Sequence, residues 1–268
     1  MKIKVCQWLW IAPMALTLGC SKMAFEEGPP VSSKGACLPG QKTEVLPTKV
    51  IFLVDMSGSN VDGPYDHPGV ATDPTKSRRL DAINTFLQKY SSVAAFSWSF
   101  ITFNNGAAAS YTNDSTTLNP TFSNSTAMAS ALQSFQAATD TGGTPYKSAL
   151  TMAQNLIAND MATAAPQTQY RIAMLSDGYP TDYCPGGISV YICPGQVLDN
   201  VLMSDVQNLV NTAPGATQLS TIYYGLPDAE ASARLQNMSV NGLGKFVDTN
   251  SAGTINLNNL IQVSTGCM

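Results

Sequence analysis

Residues 50–54 form an uninterrupted apolar run, Val-Ile-Phe-Leu-Val, and Asp55 follows it directly. A strand that is apolar at every position is typical of a parallel sheet whose two faces are both covered by helices. Further strand-like runs, separated by segments of helical period, occur at 96–101, 172–175, 219–224 and 244–247. This order predicts an α/β fold, a doubly wound, mostly parallel sheet of about six strands with helices on both faces.

The helical segments carry apolar side chains every three or four residues, as Leu80, Ile83 and Phe86 illustrate. Predicted helices occupy roughly 80–90, 127–136, 145–157, 199–210, 229–238 and 254–261. A short strand at Ala107–Tyr111 is predicted to pair beside the strand at 96–101.

Side chains with hard oxygen atoms follow two of the predicted strands and one predicted turn. Asp55, Ser57 and Ser59 alternate, so an extended loop is expected to turn their oxygens toward one side. Thr144 follows a Gly-Gly turn, and Asp177 follows a later strand. In doubly wound sheets, ligands bind beyond the carboxyl ends of the strands. These five residues, with no Cys or His among them, predict a site for Mg²⁺ or Mn²⁺ that also admits Ca²⁺.

In order and residue type, these motifs resemble those of the von Willebrand factor type A (vWA) domain and its metal-ion-dependent adhesion site. The family carries an Asp-x-Ser-x-Ser element after the first strand, a Thr in a later loop and an Asp after the fourth strand. The matching positions here are Asp55, Ser57, Ser59, Thr144 and Asp177. The resemblance covers about residue 49 to the C-terminus and implies a Rossmann-like fold. It implies that Ser57, Ser59 and Thr144 contact the metal directly or nearly so, and that the two Asp often act through water.

The same resemblance implies recognition of a protein partner. Because the hydroxyl ligands are neutral, a divalent cation held by two carboxylates stays electrophilic, and an Asp or Glu of a partner can complete its coordination. Two kinds of binding protein remain open, an adhesin and a periplasmic assembly or scaffold subunit that uses the same face. A Mg²⁺-dependent hydrolase is a third alternative.

Nucleic-acid binding and two kinds of enzyme are disfavoured. The formal charge of −4, from 14 Lys and Arg against 18 Asp and Glu, leaves no basic face for nucleic acid. A serine hydrolase needs a base, yet the single histidine, His67, lies in a loop rich in Pro and Gly. A phosphatase resembling the haloacid dehalogenases would carry a second Asp two residues after Asp55, where this chain has Ser57. The protein is therefore predicted not to be an enzyme.

The N-terminus predicts export. Lys2 and Lys4 precede an apolar run, Trp8–Leu18, that is too short to span a bilayer, so residues 1–19 are predicted to be a signal peptide. The following Gly19-Cys20 resembles the lipobox of bacterial lipoproteins, although Thr17 stands where an aliphatic residue is usual. Cys20 is therefore the predicted lipid anchor, with an ordinary cleaved signal peptide as the alternative.

The segment that follows Cys20 shows neither helical nor strand period, so residues 20–47 are predicted to be a lipid-anchored tether and 48–268 the vWA domain. Ser21, directly after the anchor, resembles outer-membrane sorting in Gram-negative bacteria. The predicted location is the cell envelope, as an outer-membrane lipoprotein facing the periplasm or the cell surface.

Four further cysteines, Cys37, Cys184, Cys193 and Cys267, are expected to pair in an exported chain. Three pairings are open from sequence, and the short loop favours Cys184–Cys193, which leaves Cys37–Cys267. No close Cys-x-x-Cys pair supports zinc instead.

Two loops are predicted to flank the metal site. The connection Asn60–Ser77 reads as a solvated loop of turn-forming residues, with a second cation site or a specificity surface as the alternative. The segment Tyr179–Tyr191 is predicted to be a disulfide-pinned excursion. Its aromatic residues Tyr183 and Tyr191 either anchor a partner or cover the core.

Overall fold

The computed structural model describes residues 42–64, 66–114, 119–186, 193, 195–252 and 254–267. The predicted signal peptide (1–19), Cys20, Cys37, Tyr191 and residues 20–41 of the predicted tether lie outside the described residues. Within the described part of the chain, no helix has the length and apolar character needed to cross a membrane.

The strands of the described residues are β1 (Thr43–Val45), β2 (Thr48–Asp55), β3 (Phe96–Asn104), β4 (Ala107–Ser110), β5 (Gln169–Ser176), β6 (Thr217–Tyr223), β7 (Leu243–Asp248) and β8 (Thr265–Cys267). Six of them form one sheet in the order β4-β3-β2-β5-β6-β7. Only the edge strand β4 is antiparallel to its neighbour. The predicted doubly wound, mostly parallel α/β fold is confirmed.

The helices of the described residues are α1 (Ser59–Asp62), α2 (Ser77–Tyr90), α3 (Ser125–Ala137), α4 (Tyr146–Asp160), α5 (Asp199–Val210), α6 (Ala229–Asn241), α7 (Thr249–Ala252) and α8 (Leu257–Leu260). Residues of α2, α3 and α8 form one core with the sheet. Residues of α4, α5 and α6 form the second core. The helices therefore cover both faces, as the apolar strands require.

The central strand β2 contributes to both cores because consecutive side chains of a strand point to opposite faces. Val50, Phe52 and Val54 enter the first core, and Ile51 and Leu53 enter the second. All five side chains are fully buried. Burial of a side chain of this size stabilises a fold by about 1.5–3 kcal/mol. The strand that carries Asp55 at its end is thus among the most firmly held parts of the protein.

Two parts of the chain differ from the sequence prediction. β1 lies inside the predicted tether (20–47) and pairs with β8, so folded structure begins before Thr48. The predicted helix at 254–261 is a single turn, α8, and α7 precedes it. Elements of three or four residues are too short to display a hydrophobic period, which is why the pattern did not define them.

Candidate metal centre

The strand order reverses at β2, which lies between β3 and β5. Asp55 is the last residue of β2, and Asp177 directly follows β5. Ligand sites of doubly wound sheets form at this reversal, beyond the carboxyl ends of the strands. The two predicted carboxylates therefore belong to adjacent strand ends.

The Asp55 carboxylate is fully buried and accepts hydrogen bonds through both oxygens. The Ser57 amide donates to Oδ1 at 2.8 Å, and the Ser176 hydroxyl donates to Oδ2 at 2.6 Å. The Tyr146 hydroxyl lies 2.8 Å from Ser176 Oγ and donates to the Gly178 carbonyl at 2.7 Å. These contacts fix the orientation of the Asp55 side chain.

The prediction of an extended loop after Asp55 is wrong. Gly58 has helical backbone angles (φ −64°, ψ −23°), and Ser59 begins the short helix α1. The helical turn nevertheless brings Ser59 Oγ to 2.9 Å from Ser57 Oγ, and Ser59 Oγ donates to Asp177 Oδ1 at 2.9 Å. A turn of helix, rather than strand-like alternation, thus brings together side-chain oxygens of Ser57, Ser59 and Asp177.

The Asp177 carboxylate is also buried, with 2% of the residue exposed. It accepts one hydrogen bond from Ser59 through Oδ1 and a second from Thr72 through Oδ2. The pKa of Asp55 is raised to about 7, chiefly by burial and secondly by the nearby Asp177 charge, against the opposing hydrogen bonds from Ser176 and Ser57. Burial likewise raises the pKa of Asp177. Two carboxylates that both resist ionisation in one buried place favour a bound cation.

Thr144 is 5% exposed and joins the site through backbone contacts of its loop. Its amide donates to Thr181 Oγ1 at 3.1 Å, and the Thr181 amide donates to the Thr144 carbonyl at 2.9 Å. The Gly58 amide donates to the Gly142 carbonyl at 2.9 Å, which ties this loop to the Asp55 loop. Gly142 has φ +72°, and a Cβ there would lie 2.8 Å from Asn105 Cα, so the turn requires glycine.

Three buried residues behind the Asp55 loop were not indicated by the motif. Arg79 donates to the Asp55 carbonyl, and Asn60 Nδ2 donates to the Ser57 carbonyl at 3.1 Å. Tyr224 donates its hydroxyl proton to Asn60 Oδ1 at 2.8 Å. The sequence contains one indication that Arg79 is buried: it lies four residues before Ile83 and therefore on the apolar stripe of α2. Two carbonyl groups of the loop, those of Asp55 and Ser57, are thus held by buried side chains.

The donor set fits a hard divalent cation. It combines the carboxylates of Asp55 and Asp177 with the hydroxyls of Ser57 and Ser59, and Thr144 lies in the adjoining loop. Among the described residues, neither carboxylate forms an ion pair with Lys, Arg or His. No group of three His, Cys, Asp or Glu in the same residues has the arrangement of a metal site. The predicted site is therefore one of hydroxyl and carboxylate oxygens, which suits Mg²⁺ or Mn²⁺.

Of the two loops that flank the site, the first differs from its predicted solvated character, and in the second Tyr183 takes one of its two predicted roles. In the connection Asn60–Ser77, Thr72, Asp73 and Lys76 are buried rather than solvated. Tyr183 is 2% exposed and donates its hydroxyl proton to Asp205 Oδ2 at 2.7 Å, so it covers the core.

The structure contains the Cys184–Cys193 disulfide. Cys267 is also disulfide-bonded. Because Cys37 lies outside the described residues, the Cys37–Cys267 pairing stays a prediction.

No protein-family model and no curated protein matches the chain. Its fold is similar to part of the structure of three N-terminal domains of the type V pili tip protein Mfa5 from Porphyromonas gingivalis. The sequence identity is 14% and the TM-score 0.55, and the match covers 84% of this chain and 50% of that one. A von Willebrand factor type A structure from Catenulispora acidiphila is also similar, with 14% sequence identity and a TM-score of 0.50. This match covers 77% of this chain and 40% of that one. For the manganese-loaded TRAP protein from Plasmodium vivax, the sequence identity is 13% and the TM-score 0.52, and the match covers 85% of this chain and 80% of that one. The chain thus spans half or less of the first two structures, and its fold is that of a vWA domain.

Proposed function

We propose that this chain is a cell-envelope protein whose vWA domain binds a protein partner through a divalent cation. An Asp or Glu of the partner completes the coordination of the metal. The observation that carries the proposal is the hydrogen-bonded cluster of Asp55, Ser57, Ser59 and Asp177, in which two buried carboxylates face neutral hydroxyls. Burial in such a cluster disfavours two negative charges, and a bound Mg²⁺ or Mn²⁺ would neutralise them.

The site residues have two roles in this proposal. Ser57, Ser59 and Thr144 offer neutral hydroxyl oxygens to the metal, and Asp55 and Asp177 hold it directly or through water. A bound cation supplies positive charge and an open coordination position. Because only two carboxylates oppose that charge, the metal face attracts a further carboxylate. Recognition of an acidic side chain follows from this balance of charge.

The cellular setting is part of the proposal. A disulfide such as Cys184–Cys193 suits an oxidising compartment, in line with the predicted signal peptide. Lipid attachment at Cys20, a tether and the outer membrane complete the proposed setting. The likeness to a pilus tip protein supports a place at or beyond the cell envelope.

Metal binding has a direct test. Mg²⁺ or Mn²⁺ titrated into the metal-free wild-type protein is expected to give saturable heat with a stoichiometry near one. At a metal concentration one hundred times the Kd, binding stabilises the fold by about 2.7 kcal/mol. For a domain of this size, that raises the Tm by roughly 5–10 °C. Ser57→Ala is expected to weaken binding, whereas Ser130→Ala, at an exposed position of α3, should leave it unchanged. Absence of heat and of a Tm shift in the wild type would exclude the metal site.

Partner binding is expected to depend on the same cation. Immobilised wild-type domain should retain its partner from an envelope extract in Mg²⁺ and release it in EDTA, and Ser57→Ala should retain much less. Blocking the partner's carboxyl groups with a carbodiimide and an amine should prevent rebinding. Equal retention with and without EDTA would rule out coordination as the basis of recognition, even if the domain binds metal.

A further inference from the structure

Thr72 contacts the metal site although it belongs to none of the three motifs that define it. It lies in the connection between α1 and α2 and is 8% exposed. Its hydroxyl donates to Asp177 Oδ2, and the Ser59 carbonyl oxygen lies 3.4 Å from the same Oγ1 atom. The loop thus places a hydroxyl on the carboxylate oxygen that Ser59 does not engage.

The position of Thr72 is fixed by its neighbour, Asp73. Asp73 is 2% exposed, and its carboxylate accepts the amides of Arg78 at 3.1 Å and Arg79 at 3.3 Å, at the start of α2. The Asp73 amide donates to the Asn60 carbonyl at 3.1 Å. Asp73 is therefore attached to α1 through its backbone and to α2 through its side chain. These contacts hold the backbone beside Thr72 in place.

We propose that Thr72 is a positioning residue of the metal site, which holds the Asp177 carboxylate in the orientation that the cation needs. The inference rests on the metal-binding function proposed above and adds a residue that the motif does not contain. The terminal torsion of an Asp side chain has a broad range, so one hydrogen bond leaves the carboxylate free to rotate. Hydrogen bonds to both oxygens, from Ser59 and Thr72, fix its plane.

The expected effect is large because the acceptor is a buried carboxylate. Hydrogen bonds to ionised acceptors are about twice as strong as those between neutral groups. Loss of the hydrogen-bonding partner of a metal ligand typically lowers metal affinity 10- to 100-fold. The loop between α1 and α2 then contributes to metal affinity.

The test compares Mg²⁺ and Mn²⁺ titrations of metal-free wild type, Thr72→Val and Thr72→Ser, with the Tm of each protein recorded without metal. Thr72→Val, which keeps the shape and removes the hydroxyl, is expected to raise the Kd at least about tenfold. Thr72→Ser restores the hydroxyl and is expected to return the Kd to within about threefold of wild type. If Thr72→Val does not fold, Thr72→Ala removes the same group and is expected to show the same loss.

Thr75→Val is the matched control. Thr75 lies in the same loop and is exposed, and its hydroxyl donates to Ser77 Oγ at 3.1 Å. Metal binding by this variant should equal that of the wild type. The inference is overturned if the wild type binds metal and Thr72→Val or Thr72→Ala binds it equally well, or if Thr75→Val loses as much affinity. Failure of the wild type to bind either cation would instead refute the proposed function, and the inference with it.

Discussion

Replacing Asp55 with Asn is expected to weaken Mg²⁺ binding severely and, at the same time, to stabilise the metal-free protein at neutral and alkaline pH. The pKa of Asp55 is raised from 3.8 to about 7 in the folded protein, first by burial and then by the charge of Asp177. Between these two pH values, the folded state holds the proton more tightly than the unfolded state. The contribution of Asp55 to the free energy of unfolding therefore falls as pH rises from about 4 to 7 and is level above that range.

The size of this effect follows from the shift. Each pKa unit corresponds to about 1.4 kcal/mol, so a shift of about three units corresponds to at most about 4 kcal/mol lost at high pH. Asn has nearly the same shape and no charge, and its carbonyl oxygen can accept the Ser57 amide as Oδ1 of Asp55 does. We expect Asp55→Asn to raise the Tm at pH 8 by several degrees, to flatten the pH dependence of Tm below pH 7, and to weaken Mg²⁺ binding more than about 100-fold.

The control for this variant is Asp66→Asn, which removes a carboxylate from an exposed position of the neighbouring loop. It should change neither Mg²⁺ affinity nor the pH dependence of Tm. Thermal melts from pH 4 to 9 in EDTA, with Mg²⁺ titrations at pH 8, measure both quantities. If Asp55→Asn is less stable than wild type at pH 8 in EDTA, the buried charge of Asp55 does not destabilise the folded protein. If it keeps wild-type affinity for Mg²⁺, Asp55 does not hold the metal.

The sheet could be predicted because its signals are local. The uniform apolar run in β2 requires burial on both faces, and the spacing of Leu80, Ile83 and Phe86 is that of a helix. The proximity of Asp55 and Asp177 follows from the predicted parallel sheet, because neighbouring parallel strands end at one edge of the sheet. The conformation after Asp55 was harder to predict. Alternating Asp, Ser and Ser fits an extended loop, whereas in the structure a turn of helix places Ser59 beside Ser57.

The rest of the site depends on the path of the chain in three dimensions. Thr72 is one of several polar residues in a loop rich in turn formers, and nothing in its local sequence indicates contact with a carboxylate 105 positions later. Arg79 is a charged residue within an apolar stripe, which sequence cannot distinguish from one that extends its charged end into water. The pairing of β1 with β8 rests on backbone hydrogen bonds between the chain ends, which side-chain patterns do not reveal.

Replacing Arg79 with Met is expected to destabilise the protein by about 3–5 kcal/mol, because it leaves the buried Asp73 carboxylate without its ion-pair partner and Asp140 with Lys76 alone. The Arg79 side chain is fully buried. Its Nε donates to Asp73 Oδ2 at 2.8 Å and its Nη2 to Asp140 Oδ2 at 2.7 Å. Its remaining donors reach the carbonyl oxygens of Asp73 and Asp55. Arg79→Lys should be nearly as harmful, since a single ammonium group cannot serve four acceptors in this planar arrangement.

Two further variants test the cause of this loss. Arg78→Met changes the preceding residue on α2, whose guanidinium is half-buried and donates to two neutral oxygens, the Tyr224 carbonyl at 2.6 Å and Thr249 Oγ1 at 2.5 Å. It should cost only about 1–2 kcal/mol. Adding Asp73→Asn to Arg79→Met should recover part of the lost stability, because the unpaired Asp73 charge is then gone, whereas Asp140 keeps its ion pair with Lys76. Urea unfolding in EDTA measures all of these proteins without a contribution from metal. If Arg79→Met loses no more stability than Arg78→Met, or if removing the Asp73 carboxylate lowers stability further, the buried ion network does not support the loop that carries the metal site.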